Sequence, residues 1–215
     1  MKKLLALTLA LLMVFSLVAC GGGDKAGKKD DTPSGDKSSF AFGKVSGTTY
    51  ENEFIGVGCT LPSDWLFYSE EEIIEANNLV VDSLDGDIKD IIESATVLYD
   101  MFAQSPTGQN NVNVVLEKVP QIKLDTLNIK QNFELLLPTL KATYEQIGFT
   151  DINASVVNKT IGGKELPTAV MTANAAGQQV KMYQFAVKCD GFLASITVTA
   201  FSGDADALLN TFYFL

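Results

Sequence analysis

From residue 40 onward the chain switches between two spacings of apolar side chains, one of period two and one of period three to four. Residues 45–50 and 54–61 alternate apolar and polar positions around Glu51, Asn52 and Glu53 and stop at Pro62, which predicts an opening hairpin. Ser69 followed by Glu72 has the spacing of a capping box and starts a short acidic helix over 70–77. Gly86 marks a turn before Ile88, Ile91 and Ile92, whose spacing predicts a second short helix. Residues 96–104 and 112–119 flank the turn formers Ser105, Pro106, Thr107 and Gly108, so a second hairpin follows. Phe133, Leu136, Leu137, Leu140, Tyr144 and Ile147 then recur at intervals of three and four, a one-sided stripe closed by Gly148. Pro138 lies inside that stripe and predicts a kink or a restart.

The remainder, from Ile152, alternates again and is broken at Gly162 and Gly163, near Gly177, and at Asp190 and Gly191, which predicts four strands in meander order. A closing helix is expected with Ser202 as its cap, Asp204 and Asp206 at the positive end of its dipole, and Leu208, Leu209 and Phe212 as its apolar face. Hairpins, helices and a meander in this order describe an α+β fold, an antiparallel sheet covered by helices. Residues 40–215 have a length suited to one domain with a sizeable core.

The segment before residue 40 follows different rules. Lys2 and Lys3 precede an apolar stretch over 4–18, and small residues then lead to Cys20, the three-part layout of an export signal. A membrane span needs about 20 apolar residues. This run is shorter and is followed at once by Gly21, Gly22 and Gly23, which do not continue a helix. Leu17, Val18, Ala19 and Cys20 resemble the lipobox of bacterial lipoproteins, which implies diacylglycerol on the Cys20 thiol and cleavage just before it, with residues 1–19 as the signal peptide. One acyl chain binds a membrane only marginally, at about 10⁴ M⁻¹, so the two chains of a diacylglyceryl group make attachment durable. Residues 20–39 carry no bulky apolar side chain and form a disordered tether, with an r.m.s. span of about 25 Å as a flexible coil. The expected address is the cell membrane, lipid-anchored on the extracytoplasmic face.

Composition narrows the chemistry. The formal net charge is −10 and the chain has no histidine; it has no arginine either, so bidentate phosphate contacts are not available and nucleic acid is excluded as a partner. The missing histidine removes Ser-His-Asp triads, Cys-His pairs and His-ligated zinc or copper. Carboxylate pairs, Ser-Lys dyads and oxygen-ligand metal sites survive that filter. The acidic segment 82–90 fails the calcium-loop template, because aligning Gly86 as the loop glycine puts Val81 at the first ligand position and Ile92 at the last. Glu70, Glu71 and Glu72 point in different directions on a helix and suit its dipole better than an acid-base pair. Trp65, beside Pro62 at a strand's end, reads as a core plug rather than a stacking platform. The glycine pairs are hairpin turns without a P-loop or dinucleotide fingerprint, so neither a cofactor nor a metal is expected.

Two thiols are left besides Cys20. Alternation groups Cys59 with Ile55, Val57 and Leu61, and Cys189 with Phe185 and Val187, so both point inward. A disulfide and two separate buried thiols both fit that pattern.

Tyr50, Asn52, Glu53, Phe54, Gly56, Gly58, Pro62 and Trp65 together form a strand with a small, glycine-flanked centre that leads into proline and tryptophan. This phrase resembles the start of PsbP-like domains, and the element order resembles theirs over nearly all of 40–215. With the lipobox and the Gly- and Lys-rich tether, the chain resembles uncharacterised lipoproteins of Gram-positive anaerobes. The resemblance implies an α/β/α sandwich and a non-enzymatic accessory or binding role, with an envelope protein as a possible partner. The rival expectation is a histidine-free envelope hydrolase with paired carboxylates converging in a pocket.

Overall fold

The computed structural model describes residues 40–80, 97–201 and 204–215. Its strands are β1 (Lys44–Ser46), β2 (Thr49–Asn52), β3 (Val57–Thr60), β4 (Leu66–Phe67), β5 (Val97–Gln104), β6 (Asn111–Lys118), β7 (Thr150–Ile161), β8 (Lys164–Ala175), β9 (Gln178–Cys189), β10 (Phe192–Ala200) and β11 (Phe212–Phe214). The helices among the described residues are α1 (Glu70–Val80), α2 (Gln121–Thr126), α3 (Ile129–Gln146) and α4 (Ala205–Leu209). They build an α+β fold with two antiparallel sheets, one of order β1-β2-β3-β11 and one of order β4-β5-β6-β10-β9-β8-β7.

The meander forms as its alternation predicts. Strands β7 to β10 pair as sequential antiparallel neighbours, with turns at Gly162, Gly163, Gly177 and Gly191 that all take positive φ. In β9 and β10 one alternating set, Tyr183, Phe185, Ile196 and Val198 among them, meets Tyr50, Val57 and Cys59 of the small sheet in the main core. The opposite set faces helices: Leu140 and Tyr144 of α3 pack on Met171, Val180 and Met182, and Phe133 of α3 with Leu124 of α2 packs on Ala169, Ala186 and Leu193. Helices α2 and α3 thus pack on one face of the large sheet, and the second sheet together with α4 covers the other.

Local chemistry fixes the helix ends. Ser69 Oγ accepts from the Glu72 N–H at 3.3 Å and Glu72 Oε2 accepts from the Ser69 N–H at 2.8 Å, the predicted capping box of α1. Asn128, a cap not foreseen, accepts from the Gln131 N–H at 3.0 Å and starts α3. Pro138 sits inside a continuous α3 rather than at a restart, and Gly148 ends the helix with φ of 96°. Asn77 of α1 uses its side-chain amide as a strand would use its backbone: it accepts from the Tyr99 N–H at 2.6 Å and donates to the Tyr99 carbonyl at 2.9 Å. Both Tyr99 groups lie on the side of β5 away from β6, where β4 is too short to reach.

Three expectations change. The predicted first strand is split at Gly47, whose φ of 60° turns the chain into an extra hairpin, and Glu51 and Asn52 belong to β2 rather than to the turn. Phe212 lies in β11, paired with Cys59 of β3, and not on the closing helix, which has only five residues and is capped by Asp204. The short helix expected around Ile88 to Ile92, the cap Ser202, and everything before residue 40, Leu17, Val18, Ala19 and Cys20 included, lie outside the described residues. Strand β11 explains a glycine requirement: a Cβ on Gly162, in the β7–β8 turn, would stand 2.8 Å from the Tyr213 Cα.

Candidate ligand-binding face

On the central strands β6, β10 and β9, alternation decides which side chains share a face. Val112, Val114 and Leu116 of β6 enter the inter-sheet core, which sends Asn111, Asn113 and Val115 to the helix side. By the same parity Ser195, Thr197 and Thr199 of β10 and Gln184 of β9 face that side. Register then aligns them. One row across the sheet runs Phe102, Asn113, Thr197, Gln184, Ala169, Val156; a flanking row runs Gln104, Asn111, Thr199, Met182, Met171, Ala154; on the other flank stand Tyr99, Val115, Ser195 and Ala186.

The result is a strip of six uncharged polar side chains in the middle of a seven-stranded sheet, between the two apolar clusters under α2 and α3. Asn113 is 2% exposed and Gln184 4%, so the strip is not an ordinary solvated face. Yet Thr197 and Val115, diagonal neighbours at its centre, are only half-buried, so solvent reaches the strip there. Packing economy calls for apolar side chains at such positions, and buried polar groups carry a cost unless paired. Among the described residues two are not paired: Gln184 Oε1 and the Tyr144 hydroxyl are buried without a hydrogen-bond partner. Burial pushes the Tyr144 phenol well above its ordinary pKa, so it is a neutral O–H that can both donate and accept. Each unmet group of this kind costs about 1–3 kcal/mol.

Two further polar clusters are satisfied internally. Asp100 lies at a bulge of β5, between Tyr99 and Met101, and its carboxylate turns between the two sheets. There Oδ1 accepts from the Gly43 N–H at 2.8 Å, and Oδ2 accepts from Asn52 Nδ2 at 2.9 Å and from the Tyr50 hydroxyl. Burial raises the Asp100 pKa, partly opposed by those three donors, and burial foremost raises that of Tyr50. On the same side of the large sheet, Asp206 of α4 accepts from Lys181 Nζ at 2.7 Å, Lys159 Nζ at 2.9 Å and the Tyr183 hydroxyl at 2.7 Å. The Lys181 hydrogen bond is the first cause that holds the Asp206 carboxyl well below the usual carboxylate range. This cluster latches α4 onto β7 and β9.

Cys59 is buried and Cys189 half-buried against the same core, and both are free thiols. Burial pushes each up to about 12, which makes them unreactive small hydrophobes at neutral pH. Trp65 is half-buried and packs against the main core. Glu70, Glu71 and Glu72 are exposed in the first turn of α1. Among the described residues no group of three or more His, Cys, Asp or Glu side chains could hold a metal ion. The acidic segment 82–90 lies outside them. No helix among the described residues is long and apolar enough to cross a membrane.

None of the strip residues stood out in the sequence. The signal was present in the runs N-V-N and S-I-T-V-T, whose polar positions are uncharged, whereas β8 carries the charged Lys164 and Glu165 at its exposed first end. In β6 and β10 both alternating sets of side chains are largely buried, the polar one included.

Neither a family model nor a curated protein matches the sequence. Among solved structures, the chain is similar to LpqN, described as involved in cell envelope biogenesis of Mycobacterium tuberculosis, with 12% identity and a TM-score of 0.39 over 73% of this chain and 82% of that one. It is also similar to a Bacteroides thetaiotaomicron protein, with 12% identity and a TM-score of 0.40 over 80% of this chain and 49% of that one, about half of that protein's length.

Proposed function

We propose that the chain is a lipoprotein precursor whose mature domain hangs from diacylated Cys20 on the outer face of the cell membrane and binds a ligand, without turning it over, on the polar strip of β6, β10 and β9. Kinship with the PsbP-like lipoproteins of Gram-positive bacteria belongs to the same reading and rests on the phrase from Tyr50 to Trp65. The observation that carries the binding role is the strip itself: polar side chains in a covered sheet centre, solvent at Thr197, and two buried groups left unpaired. Such an arrangement sacrifices fold stability and gains a set of prepositioned hydrogen-bonding groups. The rival reading, paired carboxylates acting as acid and base, finds less support. The buried carboxylates among the described residues are Asp100 and Glu117, and they lie on opposite faces of the large sheet.

The anchor and the binding role are tested together. Cells grown with an alkynyl fatty acid are expected to label the wild-type chain and not Cys20→Ala. Native mass spectrometry of the protein extracted from its own membranes is expected to show a retained small molecule that is lost in Gln184→Leu. Persistent labelling of Cys20→Ala contradicts the anchor, and identical masses bound in both proteins contradict the site.

A further inference from the structure

Among the described residues the two sheets end in four edge strands, and three of them are short. Strand β4 has two residues, and β1 and β11 have three each, too few to template another chain. The fourth edge, β7, has twelve. After an irregularity between Thr150 and Asn153, its ladder to β8 runs unbroken from Asn153 opposite Thr172 to Ile161 opposite Lys164.

The turn that closes this ladder decides which backbone groups are free. Gly162 and Gly163, with φ of 53° and 80°, form a two-residue type I′ turn, whose flanking pair Ile161 and Lys164 exchanges hydrogen bonds. Bonded and non-bonded pairs alternate along an antiparallel ladder, so the odd-numbered residues of 153–161 bond to β8. The N–H and C=O groups of Ala154, Val156, Asn158 and Thr160 therefore point away from the sheet, and none meets a partner among the described residues. Edges of this length are usually guarded by proline, by charge or by a covering element. Strand β7 has no proline, and Ser155, Val157, Asn158 and Thr160 are exposed. Lys159, the one charge over 152–160, is turned to Asp206 of α4.

Symmetry and charge select the occupant. The midpoint of the regular ladder 153–161 is Val157, which is also 39% exposed. A second β7 laid antiparallel about a two-fold axis at Val157 sets Ala154 opposite Thr160 and Val156 opposite Asn158, so the outward groups of all four residues find partners. Val157 then stands opposite its own copy in a non-hydrogen-bonded pair, where Cα atoms lie about 4.5 Å apart and side chains meet. The chain carries a net charge of −10 and so repels its like elsewhere, but here each Lys159 stands opposite Ser155 and no like charges meet. A partner chosen by charge finds nothing to hold on this edge.

We propose that two copies of this chain pair through β7, antiparallel about Val157, and join their large sheets into one.

Disulfide trapping tests the pairing and its register. Membranes from cells that produce the full chain are oxidised with diamide and resolved without reductant. Val157→Cys is expected to convert the greater part of the chain to a reducible species of twice its mass, because the central pair lies within disulfide reach. The wild type, with its own three cysteines, is expected to stay monomeric. So is Thr160→Cys, which is as open to solvent but whose copies stand about 20 Å apart in this register. Asn158→Pro removes an outward N–H and leaves the bonds to β8 in place, so adding it to Val157→Cys is expected to abolish trapping with thermal unfolding unchanged. No trapping of Val157→Cys, equal trapping of Thr160→Cys, trapping that survives Asn158→Pro, or a trapped product that is not twice the mass of the chain overturns the proposal.

Discussion

Asp100→Ala is expected to lower the unfolding free energy by about 3 kcal/mol, because it strands three buried donors at once. The Tyr50 hydroxyl, Asn52 Nδ2 and the Gly43 N–H all converge on this carboxylate, at a place where the two sheets exclude water. The same contacts hold the chain where it enters the domain, since Asn52 also donates to the Ala41 carbonyl and Phe40 stacks against Phe42, Phe54 and Phe192. Urea unfolding measures the loss.

A second substitution at the same position separates hydrogen bonding from charge. In the unfolded chain Asp100 gives up its proton near pH 4. In the folded chain burial raises that pKa, so between the two values the unfolded state binds fewer protons than the folded one. Stability contributed by Asp100 is therefore greatest below pH 4 and falls as pH rises through that window. Asp100→Asn does not titrate, so the wild-type midpoint minus the Asp100→Asn midpoint is expected to shrink from pH 3 to pH 7. Asp206 works with the opposite sign, since its lowered pKa makes its contribution vanish as pH falls, but it is common to both proteins and cancels. A difference that grows with pH would mean that Asp100 is stabilised as an anion, against the burial that surrounds it.

Phe212→Ala is expected to cost about 4 kcal/mol, the usual loss for an aromatic side chain removed from a tight core. Phe212 is 2% exposed, stacks edge-on against Phe185 at 5.4 Å and pairs with Cys59, so it joins the last strand of the small sheet to the centre of the large one. The comparison is Leu215→Ala, four positions after the turn of α4 and well exposed, which is expected to change stability by less than about 0.5 kcal/mol. If the two substitutions cost the same, the chain end is not a strand of the core.

These residues also mark where the sequence is transparent and where it is not. Strands β7 to β10 are legible because each carries a full alternation of nine residues or more and each turn has a glycine with positive φ to mark it. Strand β11 is not. Leu208, Leu209 and Phe212 fit a helical stripe, and a three-residue apolar strand has too few positions for the two periods to differ. Asp100 interrupts the apolar run of β5 with a charge, but its role depends on a bulge that shifts register by one residue and on partners 48 to 57 positions away, which no local pattern encodes. The polar strip is hidden from the sequence for a related reason. Alternation says which side chains share a face, and it takes the sheet order, with β6, β10 and β9 in the centre, to show that the polar face is buried. The cap pair Ser69 and Glu72, by contrast, is a contact within one turn, and its spacing alone was sufficient.

If the polar strip exists for a ligand and not for the fold, urea unfolding of Gln184→Leu in the absence of any added ligand shows it most directly. Leucine matches glutamine in size and removes a buried oxygen that has no partner. The substituted protein is expected to be at least as stable as the wild type, by up to about 1 kcal/mol. A loss of more than about 1 kcal/mol would contradict the claim and make Gln184 a structural residue.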